Sequence, residues 1–130
     1  MSADAFLSEA RSEIERVDPI KAHALAREGA LLVDIRPYYN RLAEGEIPGA
    51  VPIERIVLEW RLDPGGSHRL PDVTAERTVI VFCNEGYASS LAARDLRRVG
   101  LRNATDLIGG FRAWEAEGLP VVDGGSPAVT

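Results

Sequence analysis

The sequence predicts an α/β protein built on an open, mostly parallel sheet, and three observations carry that expectation. Two short runs, Leu31–Ile35 and Val79–Cys83, are apolar at nearly every position, the pattern of strands buried on both faces. Segments with helical spacing separate them, as parallel neighbours require. Both runs end in polar chemistry, Asp34 with Arg36 and Cys83 with the loop after it, and ligands of open α/β sheets sit beyond the carboxyl ends of the strands.

The elements follow in chain order. Phe6, Leu7, Ala10 and Ile14 recur at amphipathic spacing, so an N-terminal helix is expected within residues 3–14. Arg16-Val17 reads as a very short extended piece. Asp18-Pro19 is a helix start, the carboxylate accepting from free amides and the proline fitting the first turn, and the helix stops at Gly29. After the Leu31–Ile35 strand, Arg36 to Leu42 forms a turn or short helix ending near Gly45. Ile47 to Ile53 contains Pro48 and Pro52 and is expected at a sheet edge, where a missing N–H is tolerated. Glu54 to Leu62 reads as a helix with Ile56, Val57 and Trp60 on a shared buried side, and residues 63–71 form the longest loop. Val79–Cys83 is the second buried strand. Ser89 to Val99 is a helix with Ala92, Leu96 and Val99 inward and Arg94, Arg97 and Arg98 outward. Thr105 to Ile108 is a last short strand, and Gly109-Gly110 opens a helix that packs Trp114 and stops at Gly118 and Pro120. The expected division is a helix over 1–15, a domain over 16–122 and a mobile Gly/Ser/Pro-rich tail over 123–130.

Composition narrows the function. The chain has 130 residues, enough for one domain with a real core, and is 45% hydrophobic and 27% charged. A net charge of −5 speaks against nucleic acid or an anionic membrane as main partner. Met1 to Arg11 lacks the apolar core of a signal peptide, and no run of about 18 apolar residues spans a bilayer, so a cytoplasmic location is expected. Cys83 is the single cysteine, which excludes an internal disulfide and an all-cysteine metal site, and only His23 and His68 join it. No metal and no cofactor are expected.

The chemistry gathers at Cys83-Asn84-Glu85-Gly86-Tyr87-Ala88-Ser89. A strand delivers the cysteine to a short loop, and a helix begins directly after it. Unpaired amides and the positive end of the helix dipole favour a sulfur anion at such a place.

Four segments resemble the rhodanese-like sulfurtransferase domain. Asp34-Ile35-Arg36 is similar to its Asp-x-Arg strand end, and Glu46-Ile47-Pro48-Gly49-Ala50 to its His-Ile-Pro-Gly-Ala turn. The Cys83–Ser89 stretch resembles the active loop, and Gly109 to Trp114 followed by Gly118 to Val121 resembles the closing signature. The resemblance runs from Val17 to Val122. It implies a five-stranded parallel sheet flanked by helices, to which the N-terminal helix is an addition. It also implies that Cys83 is the nucleophile of a double displacement. The thiolate takes a sulfane sulfur from thiosulfate or a persulfide, becomes a persulfide, and passes the sulfur to cyanide or a thiol. The anion cradle then comprises Asn84, Glu85, Gly86, Tyr87, Ala88 and Ser89. A protein donor or acceptor fits the same chemistry.

Three features set this chain apart within that resemblance. The residue six after Cys83 is Ser89, whereas related phosphatases and arsenate reductases carry there an arginine that grips an oxyanion bidentately, which removes those chemistries from the first rank. Glu85 and Tyr87 stand in a loop that in many sulfurtransferases holds a cation, so the expected compensating cations are Arg36 and Arg41; Arg36 has a structural pairing with Asp34 open to it as well. Glu46 replaces the histidine of the Pro-Gly turn and is expected to be an exposed exchange. The acidic loop also motivates a different class of function, a sulfur carrier or partner-binding module that does not turn over.

Overall fold

A computed structural model describes residues 1–130. Helix α1 (Ala3–Arg11) begins at Ser2, whose side chain accepts from the Ala5 N–H, and α2 (Pro19–Arg27) begins at Asp18, which accepts from the Lys21 N–H. Strand β1 (Leu31–Asp34) leads to α3 (Tyr38–Glu44) and the short β2 (Val51–Pro52). A 3-10 turn over Arg55–Val57 runs into α4 (Leu58–Leu62), and a long loop returns to β3 (Val79–Phe82). Helix α5 (Ala88–Arg98), β4 (Ala104–Asp106) and α6 (Gly110–Ala116) complete the order. No helix is long and apolar enough to cross a membrane.

The strands pair in parallel in the order β2-β1-β3-β4. The two apolar runs are the central strands, and the proline-containing β2 lies at an edge, as its missing N–H requires. Alternation along the central strands builds two cores. Val33, Val79 and Val81 meet Leu58, Leu62, Ala92 and Leu96 on one face. Leu32, Ile80 and Phe82 meet Ala22, Phe111 and Trp114 on the other. Each fully buried aliphatic or aromatic side chain contributes roughly 1.5–3 kcal/mol, so these two layers are what hold the sheet's carboxyl edge in place.

The sheet has four strands, not five. The extended piece at Arg16-Val17 is a single bridge, with Val17 N–H donating to Asp106 O (3.1 Å) and Ile108 N–H to Val17 O (2.8 Å). Asp18 caps α2 immediately afterwards and Pro19 has no N–H to donate, so this segment cannot lengthen into a strand.

Other expectations fail for equally local reasons. Trp114 is buried and donates its indole N–H to Pro120 O (2.8 Å), but Trp60 is 63% exposed and Ile56 is exposed too. The 3-10 turn shifts the helical phase there, so Leu58 and Leu62 take the inward positions. On α5, Arg94 is buried and Val99 partly exposed, the reverse of the expectation. Helix α1 covers the Arg94 face, placing Phe6 with its ring 5.0 Å from the guanidinium carbon.

Glu46 is 7% exposed rather than on the surface, and it ties residues 123–130, expected to be a mobile tail, to the body. Its carboxylate accepts from Gly125 N–H (3.0 Å), Ser126 N–H (3.1 Å), Ser126 Oγ (2.5 Å) and Arg41 Nη1 (2.9 Å). Further on, Val129 N–H donates to Pro52 O (2.9 Å) and Glu54 N–H to Val129 O (2.9 Å), which covers the edge beside β2. Burial pushes the Glu46 carboxyl up, but hydrogen bonds from Ser126, Arg41 and Gly125 outweigh it and hold the group below the usual carboxylate range. A depressed carboxylate supports the docked tail above its ordinary value and ceases to do so as pH falls through the depressed one. We therefore expect the protection of the Gly125, Ser126 and Val129 amides, measured against the unstructured rate at the same pH, to hold at neutral pH and to fall only in acid below the normal glutamate range. Glu46→Gln should accelerate the same amides at neutral pH, since hydrogen bonds to a charged group contribute about 1.5–3 kcal/mol; unchanged exchange by NMR would refute the latch.

Candidate active site

Cys83 follows β3 directly and is partly buried. The Gly86 N–H donates to its Sγ (3.2 Å), and the thiol donates to Ser89 Oγ (3.3 Å), so the loop curls around the sulfur and brings the first turn of α5 to it. Three loop carbonyls are held from outside. Cys83 O accepts from Phe111 N–H (2.9 Å) and Asn84 O from Arg112 N–H (3.2 Å), both at the start of α6. Gly86 O accepts from Arg11 Nη2 (2.7 Å) and Arg16 Nη2 (3.2 Å).

In a planar trans peptide the N–H points opposite to the carbonyl. Anchoring those three oxygens therefore turns the N–H groups of Asn84, Glu85 and Tyr87 away from the anchors. These amides, and those of Ala88 and Ser89, have no hydrogen-bond partner within the chain. The loop thus carries a run of amides free of partners within the chain, and one further loop amide, that of Gly86, donates to the sulfur.

Close approach of α6 to the loop makes Gly110 obligatory. It has φ +64°, and a Cβ there would lie 2.6 Å from Cys83 O and 2.7 Å from Asn84 O. The second glycine of the Gly109-Gly110 pair is thus the reason the α6 amides reach the loop's carbonyls.

Behind the sulfur lies a charged group absent from the sequence expectations. Asp106, at the end of β4, is fully buried. Its Oδ2 accepts from Ser89 Oγ (2.8 Å), Ser90 Oγ (2.8 Å) and Arg16 Nη2 (3.1 Å), and its Oδ1 accepts from Arg16 Nε (2.8 Å). Arg11, Arg16, Ser90 and Asp106 were not among the sequence candidates. One signal did exist: an aspartate in an otherwise buried strand needs a cation somewhere.

The two arginines expected to face the anion are occupied. Arg36 is 4% exposed, chelates Asp34 through Nε (3.0 Å) and Nη2 (2.7 Å), donates to Gly45 O (2.8 Å), and lies 3.9 Å over the Phe111 ring. Arg41 is buried with Glu46 and Ser126 O. Burial explains both: each side chain leaves water only where a carboxylate meets it. Glu85 is exposed and turned to α6, 3.2 Å from Arg112 Nη1. Arg112 also pairs with Glu44 (3.0 and 3.2 Å), and with Asn40 this holds the Glu44 carboxyl below its usual range. Tyr87 is 61% exposed and, with Phe6, Leu7, Ala88 and Leu91, lines an apolar recess of about 450 Å³ beside the loop. The Asn84 side-chain oxygen is buried without a partner.

An open parallel sheet that offers one partly buried cysteine in a donor-lined loop at its carboxyl edge defines a class: proteins that do chemistry at a strand-end thiol. Residues 18–117 match the Rhodanese-like domain, and the chain belongs to that family. It is 32% identical to the thiosulfate sulfurtransferase GlpE of Stutzerimonas stutzeri, over 79% of this chain and 86% of that protein. A solved structure from Rhodopseudomonas palustris, described as of unknown function and a possible tyrosine phosphatase, superposes with a TM-score of 0.83 at 32% identity, covering 93% of this chain and 94% of its own. The polysulfide-sulfur transferase homodimer of Wolinella succinogenes superposes with a TM-score of 0.75 at 28% identity, covering 92% and 85%.

The loop anchoring yields a direct check. Gly110→Ala forces a left-handed residue with a side chain against two carbonyl oxygens, a strain of at least about 1–3 kcal/mol. Chemical denaturation should register that loss, and the Cys83 loop should show the largest amide shift changes. Wild-type stability in the variant would mean the approach of α6 is not needed.

Proposed function

We propose that this chain is a sulfurtransferase in which Cys83 carries the transferred sulfur as a persulfide. The observation that carries the reading is Cys83 at the strand end in a loop whose other amides have no partner within the chain, with the Gly86 N–H 3.2 Å from the sulfur. The Cys83 thiolate attacks the outer sulfur of the donor. A sulfur–sulfur bond forms on Cys83 while the donor's own breaks, and its electron pair leaves with sulfite from thiosulfate, or with a thiolate from a persulfide. The acceptor, a thiol or cyanide, then attacks the terminal sulfur and Cys83 departs as thiolate. The amides of Asn84 to Ser89 stabilise the charge that gathers on the terminal sulfur at both steps. Neither step calls for a cofactor. Residues 16–122 form the working domain, and residues 1–15 add a helix that braces its loop.

The donor follows from the charges at the mouth. Arg11, Arg16, Arg36, Arg41 and Arg112 all donate to carboxylates or backbone carbonyls of the chain itself, and only the buried Nη1 of Arg36 is left without a partner, so a dianion meets no exposed, unpaired guanidinium. Beside that mouth lie Tyr87 and the apolar recess. The pair of features favours a persulfide on a low-mass thiol or on a protein as donor, with thiosulfate used less well, and a thiol as acceptor. Such thiols are kept reduced in the cytoplasm, where we place the protein.

A carrier that loads sulfur without turning over is the second reading, motivated by Glu85 at the mouth. Phosphatase chemistry, raised by the description of the Rhodopseudomonas palustris structure, is disfavoured by Ser89: its hydroxyl touches Sγ and leads to a buried carboxylate, the wrong sign for phosphate.

Intact-mass measurement after incubation with thiosulfate or glutathione persulfide should show one added sulfur on the wild type and none on Cys83→Ser. Absence of label with every sulfane donor would overturn the proposal. Loading without steady-state transfer to cyanide or thiol would identify the carrier, and hydrolysis of p-nitrophenyl phosphate should be nil. Charge at the mouth is tested separately. Arg112→Ala leaves Glu85 uncompensated and should raise KM for thiosulfate several-fold while barely changing it for glutathione persulfide; Glu85→Gln should lower the thiosulfate KM. Equal changes for both donors would remove Glu85 from donor selection.

A further inference from the structure

The contacts of Ser89 pose a conflict that the rest of the network resolves. A serine hydroxyl has one proton to give. With Cys83 protonated, the thiol donates to Ser89 Oγ and Ser89 donates to Asp106 Oδ2. Once the sulfur is an anion it has no proton to offer and accepts instead, and the Ser89 proton is the nearest side-chain donor. Turning it to the sulfur removes one donor from a fully buried carboxylate, which ordinarily costs about 1–3 kcal/mol. Here Asp106 keeps three others: Ser90 Oγ at 2.8 Å on the same oxygen, and Arg16 at 3.1 and 2.8 Å across both.

We propose that Ser89 is a two-position donor, set on Asp106 while Cys83 is a thiol and on the sulfur while it is an anion, and that Asp106 and Arg16 are positioning residues that balance the two settings. The inference rests on Cys83 being the reacting sulfur. Asp106 holds the Ser89 proton and places negative charge one hydroxyl away from Sγ. Arg16 offsets that charge through both carboxylate oxygens and, with Arg11, holds Gly86 O. Ser90 is the standby donor that lets Ser89 leave.

The charged groups gathered around the sulfur are few. They are Arg11 from α1, Arg16 from the bridge segment, Asp106 from β4, and the Glu85–Arg112 pair between the loop and α6. Asp34 and Arg36, at the end of β1, pair with each other. Changes at Arg16 and Asp106 therefore act on the sulfur with opposite signs, while Arg11 and the Glu85–Arg112 pair stay constant across the variants.

Iodoacetamide alkylation of Cys83, followed by intact mass across a pH series, reads the sulfur anion without any sulfur donor, so its outcome is independent of whether transfer occurs. Asp106→Asn should move the midpoint of the profile down and Arg16→Gln should move it up, by about one pH unit each. The double variant should return close to wild type, and Arg16→Lys should fall between Arg16→Gln and wild type. Ser89→Ala should move the midpoint up, and in that background the Asp106→Asn effect should shrink to less than half. Profiles of folded Asp106→Asn and Arg16→Gln that superimpose on the wild type would overturn the proposal and leave the network a structural tether. If Asp106→Asn does not fold, Ser89→Ala and Arg16→Lys decide: a raised midpoint in Ser89→Ala with a smaller rise in Arg16→Lys supports the two-position donor, and unmoved midpoints in both overturn it.

Discussion

Asp106 is fully buried at the end of a strand, and a carboxylate taken out of water must be met by donors. Four hydrogen bonds satisfy it, from Arg16 before α2 and from Ser89 and Ser90 in the first turn of α5. That single requirement fixes where α5 begins relative to β4 and therefore where the Cys83 loop can run. It also draws Arg16 to the site, and Arg16 reaches on to Gly86 O, where Arg11 joins it. Helix α1, which precedes the residues matched to the family, is bound to the Cys83 loop through Arg11, which donates to Gly86 O and Ser90 Oγ.

The pattern repeats along the sheet's carboxyl edge. Asp34 holds Arg36 and Glu46 holds Arg41, each pair buried, and Glu46 extends its reach to the C-terminal residues. Carboxylates on this edge consume the arginines that a reading of the sequence assigns to substrate. What the loop leaves unpaired is backbone: amides turned away from the carbonyls that α6 and two guanidiniums anchor. Dipoles fixed in this way need no reorientation when charge develops on sulfur, and they discriminate by shape and reach more than by net charge.

Glycine has its clearest role where two elements touch. Gly110 lies where α6 meets the Cys83 and Asn84 carbonyls, and no side chain fits between them. Gly86, at φ +92°, reverses the loop so that its own N–H faces the sulfur while its carbonyl faces the arginines. Packing and electrostatics thus meet in the same few residues of the loop.

Local patterns settled a great deal without any structure. The paired apolar runs, the Asp18-Pro19 start, the prolines beside β2 and the strand–cysteine–helix order are properties of adjacent residues, and each appears in the fold as expected. The family follows from four such local segments. Periodicity failed where helical geometry changed, as at Trp60 after a 3-10 turn, and where a distant element covered a face, as at Arg94 beneath α1. The partners of charged groups were beyond it. Arg16 and Asp106 are 90 residues apart, and Arg41 and Ser126 are 85 apart. Sequence alone determined which residues carry charge and that a buried one must find a partner; only the tertiary structure decided which, because ion pairing depends on distance in space and the chain order of these groups says nothing of it.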